Sequence, residues 1–277
     1  MQQFLSLLYL RCEVLKFSCM KNFLLLVVCL LFLSGSVFAQ TQNPSVAKLS
    51  KELAGKAPSL NPEYLLFSPR SLPKHKIPLL IYLHGGGGVG SDIQRLRGQA
   101  SQVWRGTDKY RKGPCYVVAP QAQKSSREKG GWVPKDLNVL LEHLKSTLKV
   151  DENRIYLTGN SMGGYGSWIW GGHNPELFAA IAPVSGGIGP GGPKDVTPHL
   201  DKWAANLAKV PVMAFVGAKD RVVPAERSQR MVAAIKKSGG QKVKIRIYPD
   251  EGHGAGRIAF GSKEFYEWMF SYKKEES

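Results

Sequence analysis

Short apolar segments alternate with amphipathic ones through residues 62–272, and this alternation is the feature that most restricts the fold. The apolar segments are rich in Val, Ile, Leu and Tyr and are bounded by Gly, Pro or Asp, a pattern that predicts strands. Since several of them are apolar at every position, we expect strands that are buried on both faces of a mostly parallel sheet. The predicted strands cover residues 77–83, 115–119, 154–157, 178–184, 212–216 and 243–248.

Helical patterns occupy the segments between these strands. One run follows a 3.6-residue period behind Asp136, which we expect to cap the helix. A second run contains Met231 and Ile235 and ends at Gly239, and a last helix contains Phe265. The alternation predicts an α/β fold in which helices cover both faces of one mostly parallel sheet.

These patterns divide the chain into three parts. Residues 1–39 are set apart by an apolar run, and the polar residues 40–61 are expected to form a linker or a short surface helix. Residues 62–277 form the predicted α/β domain. Since only one cysteine lies in that domain, a disulfide scaffold is excluded. The four cysteines are Cys12, Cys19, Cys29 and Cys115.

The first 39 residues have the pattern of a secretory signal peptide. A basic start at Met20-Lys-Asn precedes an apolar run over residues 23–33 and a small-residue cleavage site that ends at Ala39. We therefore expect translation to begin at Met20 and the protein to be secreted or periplasmic. The apolar run is shorter than the ~20 residues that span a bilayer, so we expect no stable membrane anchor after cleavage.

Basic residues outnumber acidic ones, and the net charge is +17 for the whole chain and +15 without residues 1–39. A field of this sign favours anionic partners such as nucleic acid, anionic polysaccharide or a charged cell surface. However, Lys and Arg are spread over many segments, with mild clusters at 105–112 and 236–246 and no aromatic-basic recognition motif. We expect a solvated basic surface and no nucleic-acid partner.

The most informative motif is Gly-x-Ser-x-Gly at residues 159–163, between the predicted strand 154–157 and a predicted helix. In that context the motif is typical of a nucleophile elbow. A serine in so sharp a turn needs residues without side chains two positions on either side, and Gly159 and Gly163 meet this need. Ser161 is therefore the candidate nucleophile, and the alternative is a glycine-rich turn with an incidental serine.

A nucleophilic serine needs a histidine base, and the histidine needs a carboxylate that orients it. In sheets of this kind both partners follow the serine, each on a loop after a later strand. Asp220 follows the fifth predicted strand and His253 follows the sixth. Asp250 is the second candidate for the acid and Glu251 the third, because both share the loop of the histidine. Four other histidines are expected on the surface or in packing contacts, namely His75, His143, His173 and His199.

The tetrahedral intermediate of acyl transfer needs donors for its oxyanion, commonly two backbone N–H groups. The N–H of Met162, directly after the serine, is one candidate. The glycine-rich stretch that follows His84 offers the other, and we favour Gly86, with Gly85 and Gly87 as alternatives. His84 itself is expected to brace this loop.

The same stretch matches the dinucleotide-binding fingerprint Gly85-x-Gly87-x-x-Gly90. That fingerprint also needs an acidic residue at the end of a second strand about twenty residues further on, but Asp108 lies where no strand is predicted. The sequence contains no P-loop and no recognisable metal-ligand spacing. We therefore expect neither a cofactor nor a metal ion.

Two further loops follow predicted strands. The glycine-rich residues 185–193 are expected to border the substrate pocket, because they leave the sheet at the edge that carries the serine. Trp132 is expected to pin its own loop, and stacking on a sugar ring is the alternative.

Four motifs occur in order over residues 62–272: His-Gly-Gly-Gly at 84–87, Gly-Asn-Ser-Met-Gly-Gly at 159–164, Asp-x-Val-Val-Pro at 220–224 and Glu-Gly-His-Gly at 251–254. Together they resemble the α/β-hydrolase superfamily. Within it the chain is most similar to secreted esterases of the feruloyl esterase, acetyl xylan esterase and polyhydroxybutyrate depolymerase type, near the dienelactone hydrolases and the prolyl oligopeptidase catalytic domain. The resemblance implies a triad of Ser161, Asp220 and His253 and an acyl-enzyme mechanism.

The resemblance leads us to expect a secreted serine carboxylesterase whose substrate is an ester of a small molecule or of a polysaccharide, with acyl groups on polysaccharide as the favoured class. The segments between the predicted strands are too short for a large lid, so we expect an open site that admits bulky substrates. Two alternatives remain open: a serine peptidase of the prolyl oligopeptidase-like type, and a non-catalytic polysaccharide-binding module on a hydrolase fold.

Overall fold

A single sheet of eight strands organises the computed structural model, which describes residues 44–123, 131–189 and 197–275. The strands are β1 (Ser45–Lys48), β2 (Leu60–Phe67), β3 (Ile77–Leu83), β4 (Tyr116–Ala122), β5 (Val150–Asn160), β6 (Ala180–Val184), β7 (Val212–Gly217) and β8 (Val243–Tyr248). Their spatial order is β1-β2-β4-β3-β5-β6-β7-β8. β2 runs antiparallel to both of its neighbours, β1 and β4, whereas β3 to β8 are parallel to one another.

Eight α-helices lie in the described parts of the chain. They are α1 (Lys51–Lys56), α2 (Arg97–Tyr110), α3 (Pro134–Thr147), α4 (Met162–His173), α5 (Leu200–Leu207), α6 (Glu226–Lys237), α7 (Ala255–Ala259) and α8 (Lys263–Phe270). The predicted helix that ends before Gly239 is α6, and the predicted last helix is α8. Within the same residues, none of the helices has the length and apolar character that a membrane crossing requires.

Apolar side chains cover both faces of the sheet. On β3, Leu79, Ile81 and Leu83 belong to one apolar cluster, whereas Leu80 and Tyr82 belong to a second. Helices α1, α3, α4, α5 and α6 pack on the first cluster, and α2, α7 and α8 pack on the second. Successive residues of a strand face opposite sides, so a strand apolar at every position is buried on both. The predicted α/β fold with helices on both faces is confirmed.

The interpretation of residues 40–61 as a linker is wrong for the part that the structure describes. β1 joins the sheet beside β2, and the side chains of Leu49, Ala57 and Leu60 are buried. β2 was not predicted, because Pro62 and its polar neighbours interrupt the apolar pattern of this strand. The register of β2 against β4 also shifts between Leu60 and Tyr64. The alternative of a short surface helix holds for α1, which buries none of its residues.

Residues 1–43 lie outside the described parts of the chain. The export signal and its cleavage site therefore stay predictions, and so does the start of translation at Met20.

The predicted cap of α3 is also wrong. The helix begins at Pro134, and Val133 occupies the cap position without a side-chain hydrogen bond. Proline suits the first turn because its fixed φ is already helical and its missing N–H has no partner there in any case. Asp136 lies within this first turn, where its buried carboxylate accepts a hydrogen bond of 2.7 Å from the N–H of Ser59.

Candidate active site

Four loops meet at the carboxyl edge of the parallel strands. Ser161 follows β5, Asp220 follows β7 and His253 follows β8. The glycine-rich loop at residues 85–88 follows β3, which lies directly beside β5. Because parallel strands end at one edge of the sheet, side chains that are far apart in sequence come together there.

Ser161 occupies a strained turn between β5 and α4. Its φ of 56° and ψ of −115° lie where residues with a side chain are rare, a strain of about 1–3 kcal/mol. Its N–H donates to Val184 O at 2.9 Å, and its carbonyl accepts a hydrogen bond of 3.0 Å from the N–H of Tyr165. The adjacent strand β6 and the first turn of α4 therefore hold this conformation.

The glycines of this turn are required by close contacts between backbones. A Cβ at Gly163 would lie 1.8 Å from the carbonyl oxygen of Leu83, and one at Gly159 would lie 2.4 Å from Gly163 O. At Gly164 the obstacle is Val184 O, also at 2.4 Å. All these obstacles are main-chain atoms, which cannot turn aside as a flexible side chain can. The steric reason inferred from the motif is thus visible in the contacts.

Ser161, His253 and Asp220 form one chain of hydrogen bonds. The distance from His253 Nε2 to Ser161 Oγ is 2.9 Å, and the distance from His253 Nδ1 to Asp220 Oδ2 is 2.8 Å. A proton on Nδ1 is donated to the carboxylate, which leaves Nε2 as the acceptor for the serine hydroxyl. The structure thus brings together the three side chains that the sequence singles out.

The carboxylate of Asp220 is buried, and both of its oxygens accept hydrogen bonds. Its side chain is 0% exposed, whereas that of His253 is 29% exposed. Oδ1 accepts hydrogen bonds from the N–H groups of Val222 and Val223 at 2.9 and 2.8 Å. Three donors therefore satisfy this carboxylate and fix its orientation toward the imidazole.

The loops that carry the acid and the base contact each other directly. The N–H of Lys219 donates to Glu251 O at 2.9 Å. Gly217, the last residue of β7, permits this approach because a Cβ there would lie 2.3 Å from the same carbonyl oxygen. Backbone contact between the two loops thus sets the distance between the carboxylate and the imidazole.

Asp250, the second candidate for the acid, lies outside the site. Its side chain is 86% exposed and forms an ion pair of 2.8 Å with Lys219. Glu251, the third candidate, contributes its carbonyl oxygen to the loop contact. The histidines expected elsewhere are exposed or pack against aromatic rings; they are His75, His143, His173 and His199.

The two expected oxyanion donors lie at the starts of helices beside the serine. Met162 is the first residue of α4, and the first N–H groups of a helix have no partner within it. Gly86 begins the short 3-10 helix Gly86–Gly88. A Cβ at Gly85 would lie 3.4 Å from Ser161 Cβ, so this loop runs next to the nucleophile. The roles of Gly86 and Met162 stay predictions.

His84 braces the glycine-rich loop, as predicted. Burial lowers the pKa of His84 to about 4, so the imidazole is neutral at pH 7. Nε2 accepts a hydrogen bond of 3.0 Å from the N–H of Ala122, and Nδ1 therefore carries the proton and donates to Gly85 O at 2.6 Å. Trp132 packs edge-on against the ring of His84 and is only 3% exposed. It pins its loop and offers no face to a sugar.

Gln121 contacts the same loop through Gly88 O, and Asn61 holds Gln121; neither residue was predicted from the sequence. They lie on β4 and β2, are buried, and join their side-chain amides at 2.7 Å. The pairing of β2 with β4 and of β4 with β3 brings Gln121 beside the loop after β3, and Asn61 beside Gln121. No local pattern in the sequence indicates such a contact.

Metal and nucleotide binding are the alternative uses of residues in this region. In residues 44–123, 131–189 and 197–275, no cluster of three or more His, Cys, Asp or Glu side chains could hold a metal ion. The dinucleotide fingerprint needs an acidic residue at the end of the strand after the first helix. That strand is β4, which ends at Gln121 and Ala122.

The connection after β6 is described only in part. Residues 185–189 leave the sheet at the edge that carries Ser161, whereas residues 190–196 lie outside the described parts. The expected role of residues 185–193 at the substrate pocket therefore stays a prediction.

Comparisons with known proteins point to hydrolases. The profile of the dienelactone hydrolase family matches residues 117–264. The "Putative carboxymethylenebutenolidase" of Salmonella typhimurium is 31% identical over 106 residues, which make up 37% of this chain and 37% of that protein. The "Probable feruloyl esterase C" of Aspergillus clavatus is 25% identical over 253 residues, which make up 85% of this chain and 92% of that protein.

A solved structure is similar over most of the chain as well. The crystal structure of a thermostable esterase superposes with a TM-score of 0.67 and 28% identity, over 84% of this chain and 64% of that one. The chain spans less than half the length of the carboxymethylenebutenolidases that it matches.

Proposed function

Because the chain belongs to the dienelactone hydrolase family and adopts the α/β-hydrolase fold, we propose that it is a secreted serine carboxylesterase acting through an acyl-enzyme. One observation carries this proposal: the hydrogen bonds that run from Asp220 through His253 to Ser161, with the serine in its strained turn. The similarity to a feruloyl esterase and to a thermostable esterase supports ester cleavage.

In the proposed first half-reaction, Ser161 Oγ attacks the carbonyl carbon of the ester while His253 Nε2 takes the hydroxyl proton. The electrons of the C=O double bond move to the oxygen, and Asp220 stabilises the imidazolium that has formed. When the tetrahedral intermediate collapses, the bond to the alkoxy group breaks. The alcohol leaves with the proton from Nε2, and the acyl group stays on the serine.

In the second half-reaction a water molecule takes the place of the serine hydroxyl. His253 Nε2 removes a proton from this water, whose oxygen attacks the acyl-enzyme. Collapse of the second tetrahedral intermediate returns the proton to Ser161 Oγ and releases the carboxylic acid. The protein ends in the state in which it began.

The N–H groups of Gly86 and Met162 are proposed to bind the oxyanion in both intermediates. They are backbone groups at helix starts, so their direction is set before the substrate binds. The dipole of α4 places partial positive charge at the same position. Loss of one such donor lowers kcat by about 10²–10³ in serine hydrolases.

We propose acyl groups on polysaccharide as the substrate class. Export of the protein, as the pattern at residues 20–40 predicts, fits a substrate that is too large to enter a cell. The short connections predicted between the strands fit an open site that a polymer can reach. The similarity to a protein named as a feruloyl esterase points in the same direction.

A panel of acetylated sugars, feruloyl esters and short peptides tests the reaction class, with Ser161→Ala as the control. We expect turnover of esters, and a loss of about four orders of magnitude or more in Ser161→Ala with unchanged thermal unfolding. Peptide turnover without ester turnover would assign a peptidase instead. Absence of both turnover and fluorophosphonate labelling would leave a polysaccharide-binding module as the function.

Export is tested separately, by expressing residues 20–277 in a bacterial host. We expect the protein outside the cytoplasm, with Gln40 as its first residue by N-terminal sequencing. Retention in the cytoplasm with residues 20–39 intact would refute secretion and would leave the proposed chemistry untouched.

A further inference from the structure

The carbonyl groups of the glycine-rich loop are all engaged in hydrogen bonds. Because the C=O and N–H of a trans peptide unit point in opposite directions, a fixed carbonyl also fixes the N–H of the following residue. These bonds therefore determine where the N–H groups of the loop point. The acceptors and their donors are Gly85 O with His84 and Gly88, Gly86 O with Val89, Gly87 O with Arg95, and Gly88 O with Gln121.

Gln121 reaches this loop from β4. It is 0% exposed, and its Nε2 donates to Gly88 O and to Asp92 O, each at 2.9 Å. Its Oε1 accepts a hydrogen bond of 2.7 Å from Asn61 Nδ2, which also donates to Ser91 O at 3.1 Å. Both ends of the buried Gln121 amide thus have partners, and Asn61 determines which end faces the loop.

The hydrogen bond to Gly88 O affects other peptide groups of the loop through backbone hydrogen bonds. By holding Gly88 O, Gln121 fixes the N–H of Val89, which in turn donates to Gly86 O. A fixed Gly86 O sets the direction of the N–H of Gly87, one of the alternative oxyanion donors. The N–H of Gly88 itself donates to Gly85 O at 2.9 Å, and a fixed Gly85 O sets the direction of the N–H of Gly86, the favoured donor. A side chain on a neighbouring strand therefore influences the direction of a donor beside the nucleophile.

We propose that Gln121, oriented by Asn61, is a positioning residue for oxyanion stabilisation, since it holds the glycine-rich loop with its N–H groups toward the tetrahedral intermediate. The inference rests on the proposed serine-hydrolase function. Donors that are held in place before the reaction need no reorganisation when charge develops on the carbonyl oxygen. A loop that loses this support should stabilise the transition state less and bind the ground-state ester as before.

Gln121→Met tests the proposal, because methionine keeps the length of the side chain and removes both N–H donors. Gln123→Met is the matched control, since Gln123 donates to Leu60 O on β2 at 2.8 Å.

The readouts are steady-state kinetics on an ester substrate and the affinity for a boronic acid, which forms a tetrahedral adduct with a nucleophilic serine. For Gln121→Met we expect kcat and boronate affinity to fall together by about 10–100-fold, with KM within about twofold. Gln123→Met should change both readouts by less than about twofold.

Unchanged kcat and boronate affinity in folded Gln121→Met would overturn the proposal, and so would an effect confined to KM or thermal stability. If Gln121→Met does not fold, Asn61→Ala decides by the same readouts, with an expected loss of about 3–10-fold because only the bond that orients the Gln121 amide is removed. Turnover that survives Ser161→Ala would instead refute the proposed function, so the two failures are distinguishable.

Discussion

The two glycine-rich turns of the site, the elbow around Ser161 and the loop at residues 85–88, are held in different ways. In the elbow the backbones lie so close that a Cβ at Gly163 would overlap the carbonyl group of Leu83. In the loop a Cβ at Gly86 would meet nothing within 4 Å, and the carbonyls are held by hydrogen bonds, two of them from buried side chains. Close contacts between backbones restrict the elbow, in addition to its backbone hydrogen bonds, whereas hydrogen bonds from side chains hold the loop.

This difference predicts which kind of change each turn tolerates. A backbone contact depends on volume alone, so the elbow should be sensitive to any added atom and insensitive to pH. Hydrogen bonds from a buried imidazole and a buried amide depend on protonation and on the identity of the side chain. The loop should therefore tolerate a methyl group at an open position and respond to acid and to conservative substitution.

Gly163→Ala should have the largest effect on stability. The added methyl group would lie 1.8 Å from Leu83 O, so a strand or α4 must shift, and we expect a loss of about 3 kcal/mol or more in the free energy of unfolding. Gly98→Ala in α2, where nothing lies within 4 Å, is the control and should raise stability by up to about 1 kcal/mol. Urea unfolding measures both. Wild-type stability in Gly163→Ala would contradict a packed elbow.

Acid should weaken the loop through His84. The folded protein holds the pKa of His84 at about 4, below the ordinary value of 6.5, so between these values only the unfolded chain binds the proton. The contribution of His84 to stability is complete above pH 6.5 and is lost as the pH falls through 4, by about 3 kcal/mol in total.

Urea unfolding at pH 7 and pH 4.5 checks this expectation. The loss of stability between the two pH values should be smaller in His84→Gln than in the wild type, because glutamine binds no proton. The carboxylates titrate in both proteins, so their effect cancels in the comparison. An equal loss in both proteins would mean that His84 is not the group that responds.

Within the loop, Gly88→Ala and Gly86→Ala compare a glycine packed against His84 with one that has open space around it. A Cβ at Gly88 would lie 2.4 Å from His84 Nδ1 and would displace the ring, so we expect a loss of about 1–2 kcal/mol in unfolding free energy. Gly86→Ala meets no neighbour and should change stability by no more than about 0.5 kcal/mol. If thermal unfolding shows equal effects, the bracing role of His84 is wrong.

Asp250→Asn should have the smallest effect. The ion pair of Asp250 with Lys219 is exposed, and such pairs contribute about 0–1 kcal/mol. We expect kcat/KM for an ester within about twofold of the wild type. A loss of more than tenfold would reopen Asp250 as the acid that orients His253.

How far the sequence predicts the fold differs between strands β3 to β8 and the strands β1 and β2 at one edge. Strands β3 to β8 each contain an apolar run or alternating apolar residues next to turn residues, so periodicity and composition find them. β1 and β2 lie at one edge, and β2 contains Pro62 between polar neighbours. Pairing with β4 stabilises this edge through backbone hydrogen bonds, which leave no mark on the local pattern.

The residues of the candidate site also differ in how far the sequence predicts them. Ser161, Asp220 and His253 could be selected because parallel topology brings the ends of their strands to one edge. The contact of Gln121 with the loop depends on how β2, β4 and β3 are arranged in space, which no spacing along the chain reveals. The prediction that Asp136 caps α3 is wrong for a related reason. Its carboxylate accepts a hydrogen bond from the N–H of Ser59, which is far away in the sequence, and not from an N–H of its own helix.

Ser161 is the proposed nucleophile, and mass spectrometry of the protein after fluorophosphonate treatment tests this assignment. We predict one adduct per chain, on the peptide that contains Ser161, absent in Ser161→Ala and formed more than about 100-fold more slowly in His253→Gln. An adduct on a different residue, or full labelling of Ser161→Ala, would show that Ser161 is not the nucleophile.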